Sequence, residues 1–302
     1  MEDRYPLFIK RRSSQKVDYS AVARRFDKHA ATYDSFATVQ KDMSLMCIDI
    51  LKKNCQNNSF IPTSILELGC GTGQLTSLLC EAFPFTQITA IDIAPAMIDI
   101  ASSKNLHNVE FQVSGVENFT SRHKYDIIIS NAAIQWLEDP GKALATLNNF
   151  LSDRFLSLHL TFGPKTFQEI YSCIKYAHEW ERHHRDSCDP QNTDQQNNGI
   201  PQNKITERDA HAWHRIFTDL TLPYIQTGSY LHKVLYPDAT ALLKSINKTG
   251  ASYTTAERLS PSLLRKVIER YDNLYQTCLG VAATYEIVKM IGSNYYQNLS
   301  LI

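Results

Sequence analysis

Short apolar runs alternate with amphipathic stretches through the middle of this chain. Ile65–Leu68 and Tyr125–Ser130 are almost continuously apolar, as strands buried on both faces of a parallel sheet are. Between such runs, apolar residues recur at helical spacing; Leu75 and Leu79, for example, lie on one face of a helix that Pro84 ends. Strands that alternate with helices in this way predict an α/β fold with a doubly wound, mostly parallel, seven-stranded sheet.

The same pattern gives approximate bounds for the elements. Predicted strands lie at 65–68, 88–92, 109–114, 125–130, 155–162, 226–236 and 284–291. Predicted helices begin near positions 17, 39, 75, 95, 140, 165, 206 and 239. A polar tract at 186–204, crowded with Gln and Asn, predicts a mobile loop.

A glycine-rich loop follows the first predicted strand. Gly69, Gly71 and Gly73 allow the backbone to adopt positive φ and to approach a ligand without an intervening Cβ. Glu67 stands just before this loop, and Asp92 ends the next strand, where a carboxylate accepts hydrogen bonds from both hydroxyls of a ribose. The sequence pattern E-x-G-x-G-x-G resembles the first motif of class I S-adenosylmethionine-dependent methyltransferases. S-adenosylmethionine has no phosphate, and the loop carries no P-loop lysine.

Three further sequence segments make the resemblance specific to one family of methyltransferases. They are residues 23–34, which end in H-A-A-T-Y-D, residues 130–136, S-N-A-A-I-Q-W, and residues 243–251, L-K-S-I-N-K-T-G-A. In this order they resemble the malonyl-[acyl-carrier protein] O-methyltransferases of biotin synthesis, over about residues 19–291. The resemblance implies methyl transfer from S-adenosylmethionine to the free carboxylate of a malonyl thioester, carried by acyl-carrier protein or by coenzyme A.

The resemblance also implies a set of residues that bind S-adenosylmethionine. They are Glu67, Gly69, Cys70, Gly71, Gly73, Asp92, Ile93, Met97, Glu117 and Asn131. Cys70 is interpreted as a small residue that fills the loop, with a nucleophilic role as the alternative.

The chain departs from the family pattern at two turns. Where the family usually has an acidic residue that contacts adenine, this chain has Val116, and Glu117 takes over that contact if the loop shifts by one residue. Leu151–Arg154 stands where the family usually has a Pro-Gly-Gly turn, so that connection must be built differently.

Methylation of a carboxylate needs no general base, because the acceptor is already ionised at neutral pH. The expected requirement is instead a cation that pairs with the desolvated carboxylate. Lys244 is the first candidate, with Lys248 one turn later as the alternative. Tyr33 is expected to close over the cofactor with its ring near the sulfonium. Gln135 and Trp136 lie where the substrate is expected to pass, although Trp136 is equally compatible with plain core packing.

These motifs divide the chain into four predicted segments. Residues 1–60 form N-terminal helices that cover the cofactor site, and residues 61–162 form the cofactor-binding α/β core. Residues 163–225 are predicted to be a helical insertion or lid, and residues 226–302 to complete the sheet.

Composition excludes several function classes. The 31 basic and 31 acidic side chains balance, so the chain shows no bias towards nucleic-acid binding. No apolar run approaches a membrane span, no secretory signal is present, and the cysteines show no zinc-type spacing. We therefore expect a cytoplasmic protein without a metal. The family resemblance implies that its partner is an acidic carrier protein. Lys10–Arg12 and Arg182–Arg185 are candidate docking residues for that carrier.

Two alternatives remain open at this point. One is a class I methyltransferase that acts on another small carboxylic acid or metabolite, such as an aconitate-type ester former. The other is a methyltransferase fold that has lost turnover and acts as a binding protein, for which Val116 is the best evidence.

Overall fold

The structure of the chain is a computed structural model. The structure describes residues 18–186, 208–249 and 259–295. Lys10–Arg12 and residues 187–204 of the predicted polar loop lie outside the described residues.

The described residues form two compact units. The sheet unit comprises 18–163, 208–230 and 287–295, and the helical unit comprises 164–186, 231–249 and 259–286. The helical unit thus contains parts of both the predicted insertion and the predicted C-terminal segment.

Helices and strands alternate through most of the chain. The helices are α1 (Tyr19–Tyr33), α2 (Thr38–Asn57), α3 (Gln74–Ala82), α4 (Pro95–Ser103), α5 (Pro140–Asn148), α6 (Gln168–Asp186), α7 (Ala210–Asp219), α8 (Ala239–Lys248) and α9 (Pro261–Tyr275). The strands are β1 (Ser64–Leu68), β2 (Gln87–Asp92), β3 (Val109–Val113), β4 (Tyr125–Asn131), β5 (Leu151–Phe162), β6 (Tyr224–Tyr236), β7 (Gln276–Thr277) and β8 (Gly280–Ser293).

The strand order is β3-β2-β1-β4-β5-β8-β6, with the two-residue β7 paired to β8. The pairs from β3 to β5 are parallel, whereas β8 runs antiparallel to β5. This confirms the predicted doubly wound, mostly parallel sheet with seven strands along its main path. The predicted bounds of α8 match, and β8 is longer than predicted at both ends.

The fifth strand begins earlier than its apolar run. Leu151–Arg154, which stands in place of the expected turn, already belongs to β5. The pairing register with β4 shifts here, from Tyr125 opposite Leu151 to Ile127 opposite Leu156. Ser152 donates a hydrogen bond to Asp126 at 2.7 Å and fixes the irregular segment. The connection is therefore built as a bulge within the strand.

Two features define the helical unit. Helix α6 packs against α9, and α8 packs against α9. Between α6 and α9, the Lys266 ammonium lies 3.3 Å from the ring centre of Trp180, and the Arg270 guanidinium lies 3.5 Å from that of Tyr176. These cation–π contacts join the two helices at positions one turn apart.

Across the described ranges of the whole chain, no helix has the length and apolar character required to span a bilayer.

Candidate active site

The cofactor loop lies at the point where the strand order reverses. Strand β1 pairs with β2 on one side and with β4 on the other. The connection from β1 therefore leads to one side of this strand, and the connection from β3 to β4 returns to its other side. Open α/β sheets bind ligands at this position, beyond the carboxyl ends of the strands.

The glycine loop has the backbone conformation that its sequence predicts. Gly69 and Gly71 have φ of 68° and 55°, in the left-handed region that favours glycine. The Gly69 and Cys70 N–H groups both donate to the carbonyl oxygen of Ile91, at 2.8 and 2.9 Å. A Cβ on Gly69 would stand 2.3 Å from the Cβ of Ala133, so the loop after β4 rests directly on this glycine.

Asp92 holds the loop and also lines the cavity beside it. One carboxylate oxygen accepts a hydrogen bond from the Gly71 N–H and the other accepts one from the Ala94 N–H, both at 2.9 Å. Burial raises the pKa of Asp92, and the two backbone donors partly oppose that rise. The carboxylate is thus preorganised at the tip of β2, where a ribose is expected.

Glu67, in β1, and Cys70, within the glycine loop, do not line the cavity. Glu67 is 1% exposed and accepts a hydrogen bond from the Thr76 hydroxyl at 2.7 Å, which ties the strand to α3. Burial raises the pKa of the Cys70 thiol well above its ordinary value, which favours a filler over a nucleophile.

Glu67→Gln is expected to remove a pH dependence of stability. Burial raises the pKa of Glu67 from 4.5 to about 7, so between these values the folded state holds a proton that the unfolded state has released. Wild-type stability therefore falls as the pH rises through this window, and glutamine does not contribute this fall. Melting temperatures at about pH 5 and about pH 8 measure the effect. Exposed Glu81→Gln is the control, and a wild-type-to-E67Q difference that is constant with pH would contradict the assignment.

A cavity lies at the carboxyl ends of β1 to β4, with about 850 Å³ of space when its open mouth is included. Its lining residues are Tyr19, Val22, Phe26, Tyr33, Gly69, Gly71, Asp92, Ile93, Met97, Ser114, Gly115, Val116, Glu117, Asn118, Asn131, Ala132, Ala133, Trp136 and Leu137. The charged residues among them are Asp92 and Glu117, and none of these lining residues is Lys, Arg or His. The described wall is therefore acidic and suits a cationic ligand.

The structure brings most of the predicted site residues to this wall. Those that line it are Tyr33, Gly69, Gly71, Asp92, Ile93, Met97, Glu117, Asn131 and Trp136. Those that do not are Glu67, Cys70, Gly73, Gln135 and Lys244. The sequence interpretation did not include Tyr19, Phe26 or the Ala132–Ala133 pair as site residues. Phe26 recurs with Val22 and Tyr33 at helical spacing in the sequence, which was the available signal.

Glu117 occupies the wall beside the valine that replaces the usual acid. The hydroxyl of Tyr19 donates a hydrogen bond to Glu117 and accepts one from the Glu138 N–H at 2.9 Å. Burial raises the pKa of Tyr19, and the hydrogen bond to Glu117 raises it further. The phenol therefore stays protonated and acts as the donor. Tyr19 therefore connects α1 to both the Glu117 turn and the segment after β4.

Asn131 presents an unsatisfied acceptor to the site. Its amide nitrogen donates to the Gln40 carbonyl and to the Ser44 hydroxyl, both at 2.8 Å, which ties β4 to α2. Its amide oxygen is buried and has no hydrogen-bond partner among the described residues. A buried acceptor of this kind requires a donor from a ligand or from water.

Three aromatic rings contribute to the apolar part of the wall. Phe26 contacts Tyr33 at a ring-centre distance of 6.4 Å and Trp136 at 5.5 Å, both edge to face. Phe26 and Tyr33 come from α1, which is also fastened at Asp27, whose carboxylate accepts from the Ala96 N–H at 2.8 Å. The α1 rings are therefore held against the strand ends.

Gln135 and Lys244 are not among the residues that line the cavity. Gln135 is 6% exposed, and both ends of its amide are bonded, to the Ala132 carbonyl and the Thr161 hydroxyl. Lys244 lies on α8 in the helical unit and its side chain is exposed.

These residues fit S-adenosylmethionine. The acidic wall matches its positive sulfonium and ammonium groups, Asp92 suits a ribose, and the orphaned Asn131 oxygen suits a donor such as an ammonium. When bound, this cofactor supplies an electrophilic methyl group. No cluster of potential metal ligands occurs in the part of the chain that the structure describes.

Comparison with known proteins identifies the class. A family model described as a methyltransferase domain matches residues 65–154. The plantazolicin methyltransferase BpumL, solved with SAH, superposes with a TM-score of 0.52 at 16% identity, covering 92% of this chain and 95% of its own. The YcgJ protein from Bacillus subtilis superposes with a TM-score of 0.51 at 16% identity, covering 78% and 94%. Fold and site together define a class I S-adenosylmethionine-dependent methyltransferase.

Curated relatives identify the family. The malonyl-[acyl-carrier protein] O-methyltransferase of Bacillus cereus is 32% identical over 270 residues, covering 89% of this chain and 95% of the relative. That of Bacillus anthracis is 32% identical over 277 residues, covering 91% and 97%. The chain belongs to the malonyl-[acyl-carrier protein] O-methyltransferase family, as the sequence motifs predicted.

Proposed function

We propose that this enzyme transfers the methyl group of S-adenosylmethionine to the free carboxylate of a malonyl thioester, the first step towards a pimeloyl chain for biotin. The observation that carries the proposal is the likeness to relatives of this name over about nine-tenths of the chain. The thioester is carried by acyl-carrier protein or by coenzyme A, and the relatives' name favours the carrier protein.

The chain's contribution to this reaction is binding and orientation. A carboxylic acid has a pKa near ~4, so the acceptor is ionised and needs no base. Asp92, Glu117 and Asn131 would hold the cofactor, and Phe26, Tyr33 and Trp136 would exclude water around the sulfonium. The rate of methyl transfer to an ionised oxygen is expected to depend mainly on how well the oxygen is held in line with the methyl group.

The carboxylate acceptor requires a positive partner that the described wall does not contain. Its lining residues carry two acids, Asp92 and Glu117, and none of them is a base. An anion that approaches such a wall loses hydration and meets like charge unless a cation accompanies it. A basic residue from beyond these lining residues is therefore required, and Lys244 is the residue to which the family resemblance points.

Lys244→Ala is expected to lower kcat/KM for the malonyl thioester by roughly 10- to 150-fold, the effect of losing one charged hydrogen bond of about 1.5–3 kcal/mol. Cofactor affinity should stay unchanged, and Lys244→Arg should retain part of the activity because it keeps the charge. Steady-state kinetics and calorimetry with S-adenosylhomocysteine measure the two effects.

The exposed lysine Lys53 on α2 provides the control, and Lys53→Ala should leave kcat/KM unchanged. A large effect of Lys248→Ala with none of Lys244→Ala would move the role to Lys248. Unchanged kinetics in both variants would remove α8 from carboxylate binding.

Genetic complementation tests the proposed function. A bacterial strain that lacks its own malonyl-[acyl-carrier protein] O-methyltransferase should grow without biotin when it expresses this chain. Failure to grow, with the protein present and able to bind S-adenosylhomocysteine, would favour another small carboxylic acid as the acceptor.

A further inference from the structure

Ala132 adopts a backbone conformation that alanine avoids. Its φ is 54°, in the left-handed region, and it directly follows β4. This conformation costs an L-residue about 1–2 kcal/mol and persists only where the surroundings impose it. Ala132 lines the cavity between Asn131 and Ala133, so the strained residue lies in the wall of the site itself.

A chain of three hydrogen bonds holds this conformation. The Ala132 N–H donates to the Leu160 carbonyl at 2.9 Å. The Ala132 carbonyl accepts from the Gln135 amide nitrogen at 2.8 Å, and the Gln135 amide oxygen accepts from the Thr161 hydroxyl at 2.7 Å. Thr161 is fully buried and Gln135 is 6% exposed, so water does not readily replace these bonds.

Thr161, the last residue in this series of hydrogen bonds, lies in the middle of the sheet. Asn131 of β4 pairs with Leu160 of β5, and Thr161 pairs on the other side with Val288 of β8. A strand bonded on both edges cannot adjust without breaking sheet hydrogen bonds. The Thr161 hydroxyl is thus a fixed point from which the Gln135 amide is oriented.

We propose that Thr161 is a positioning residue for methyl transfer: through Gln135 it holds the strained Ala132 and so fixes the wall formed by Ala132, Ala133 and Trp136. The inference rests on the proposed function, because it assigns Thr161 to the orientation of that reaction. Gln135, expected from sequence to meet the substrate, acts in this assignment through the backbone of Ala132.

The consequence for the reaction follows from the neighbours of Ala132. Ala133 rests on Gly69 of the cofactor loop, and Trp136 belongs to the aromatic part of the wall. Relaxation of Ala132 would shift both relative to the loop. In-line displacement is sensitive to such shifts, since a displacement of ~1 Å can lower the rate about 100-fold.

The test compares two threonines that each lose one buried hydrogen bond on substitution by valine. Thr161→Val removes the donor to Gln135. Thr86→Val is the matched control, because Thr86 is 4% exposed and donates to the Pro62 carbonyl at 2.8 Å, just before the amino end of β2 and far along the strand from the cavity. Both variants should lose similar melting temperature.

The first readout is amide hydrogen exchange of the segment 132–137, which does not depend on the acceptor. Thr161→Val should accelerate exchange there by about tenfold, equivalent to about 1.4 kcal/mol, whereas Thr86→Val should not. The second readout is kinetic: Thr161→Val should lower kcat by about tenfold or more with less than about a threefold change in the affinity for S-adenosylhomocysteine. Thr161→Ser retains the hydroxyl and should restore both.

Equal exchange of this segment in Thr161→Val and Thr86→Val would overturn the proposal, as would an unchanged kcat in Thr161→Val. Where Thr161→Val does not fold, Gln135→Met removes the same connection and carries the same expectations. If wild-type enzyme methylates no malonyl thioester, the proposed function fails, while the exchange comparison still decides the positioning of Ala132.

Discussion

Gly69→Ala should abolish measurable cofactor binding, with a loss of affinity of about 100-fold or more. The new Cβ would stand 2.3 Å from the Ala133 Cβ, and φ of 68° is unfavourable for alanine. The left-handed conformation alone costs about 1–2 kcal/mol, and relief of the contact must displace either the glycine loop or the wall after β4. Calorimetry with S-adenosylhomocysteine measures the affinity.

Two companion variants separate the causes of that loss. Gly71 also has positive φ, of 55°, but a Cβ there meets nothing within 4 Å, so Gly71→Ala should have the smaller effect. Adding Ala133→Gly to Gly69→Ala removes the contact but not the φ cost, and should recover part of the affinity. If Gly69→Ala binds the cofactor as tightly as the wild type, the loop is not the cofactor cradle.

Asp92→Ala should weaken S-adenosylhomocysteine binding by about 100-fold or more. The variant removes the acceptor proposed for the ribose and leaves the Gly71 and Ala94 N–H groups without their partner. Each hydrogen bond to a charged group contributes about 1.5–3 kcal/mol, so the effect should exceed that of a single surface substitution. Calorimetry again provides the measurement.

Exposed Asp99 on α4 supplies the control for this variant, since Asp99→Ala removes a carboxylate with no part in the loop. Its affinity should equal that of the wild type. Unchanged affinity in Asp92→Ala, with an unchanged melting temperature, would show that Asp92 does not bind the ribose.

The features predictable from sequence were those that local residues determine. The glycine loop requires positive φ at Gly69 and Gly71, and only a few residue types permit it, so the sequence shows the conformation directly. Strands β1 and β4 are mostly apolar and buried, which indicates their place inside a parallel sheet. Helix α9 was missed although Leu263, Val267 and Tyr271 carry the helical spacing of its buried face.

The features that the sequence did not predict depend on distant partners. Gln135 was placed in the path of the substrate, but its amide is held by Thr161, 26 residues later in β5. Tyr19 reaches Glu117 across 98 residues, a contact that no local pattern indicates. The early start of β5 likewise depends on Asp126 of the neighbouring strand, which holds Ser152.

The departure at Val116 changes how the adenine contact must be made. Glu117 lines the cavity and is oriented by the Tyr19 hydroxyl, so an acidic group is present one residue after the usual position. Its contact with adenine stays a prediction. With Asp92 and Asn131 also in the wall, the site retains the acceptors that a cationic nucleoside needs.

The reaction expected of this enzyme is methyl transfer to a free carboxylate that is carried on a thioester. Its most direct test is methyl transfer from labelled S-adenosylmethionine to malonyl-carrier protein, with malonyl-coenzyme A, free malonate and acetyl-carrier protein assayed beside it. Transfer to malonyl thioesters, with none to the acetyl thioester, is the predicted result. No transfer to either malonyl thioester by protein that binds S-adenosylhomocysteine, or equal transfer to the acetyl thioester, would contradict the claim.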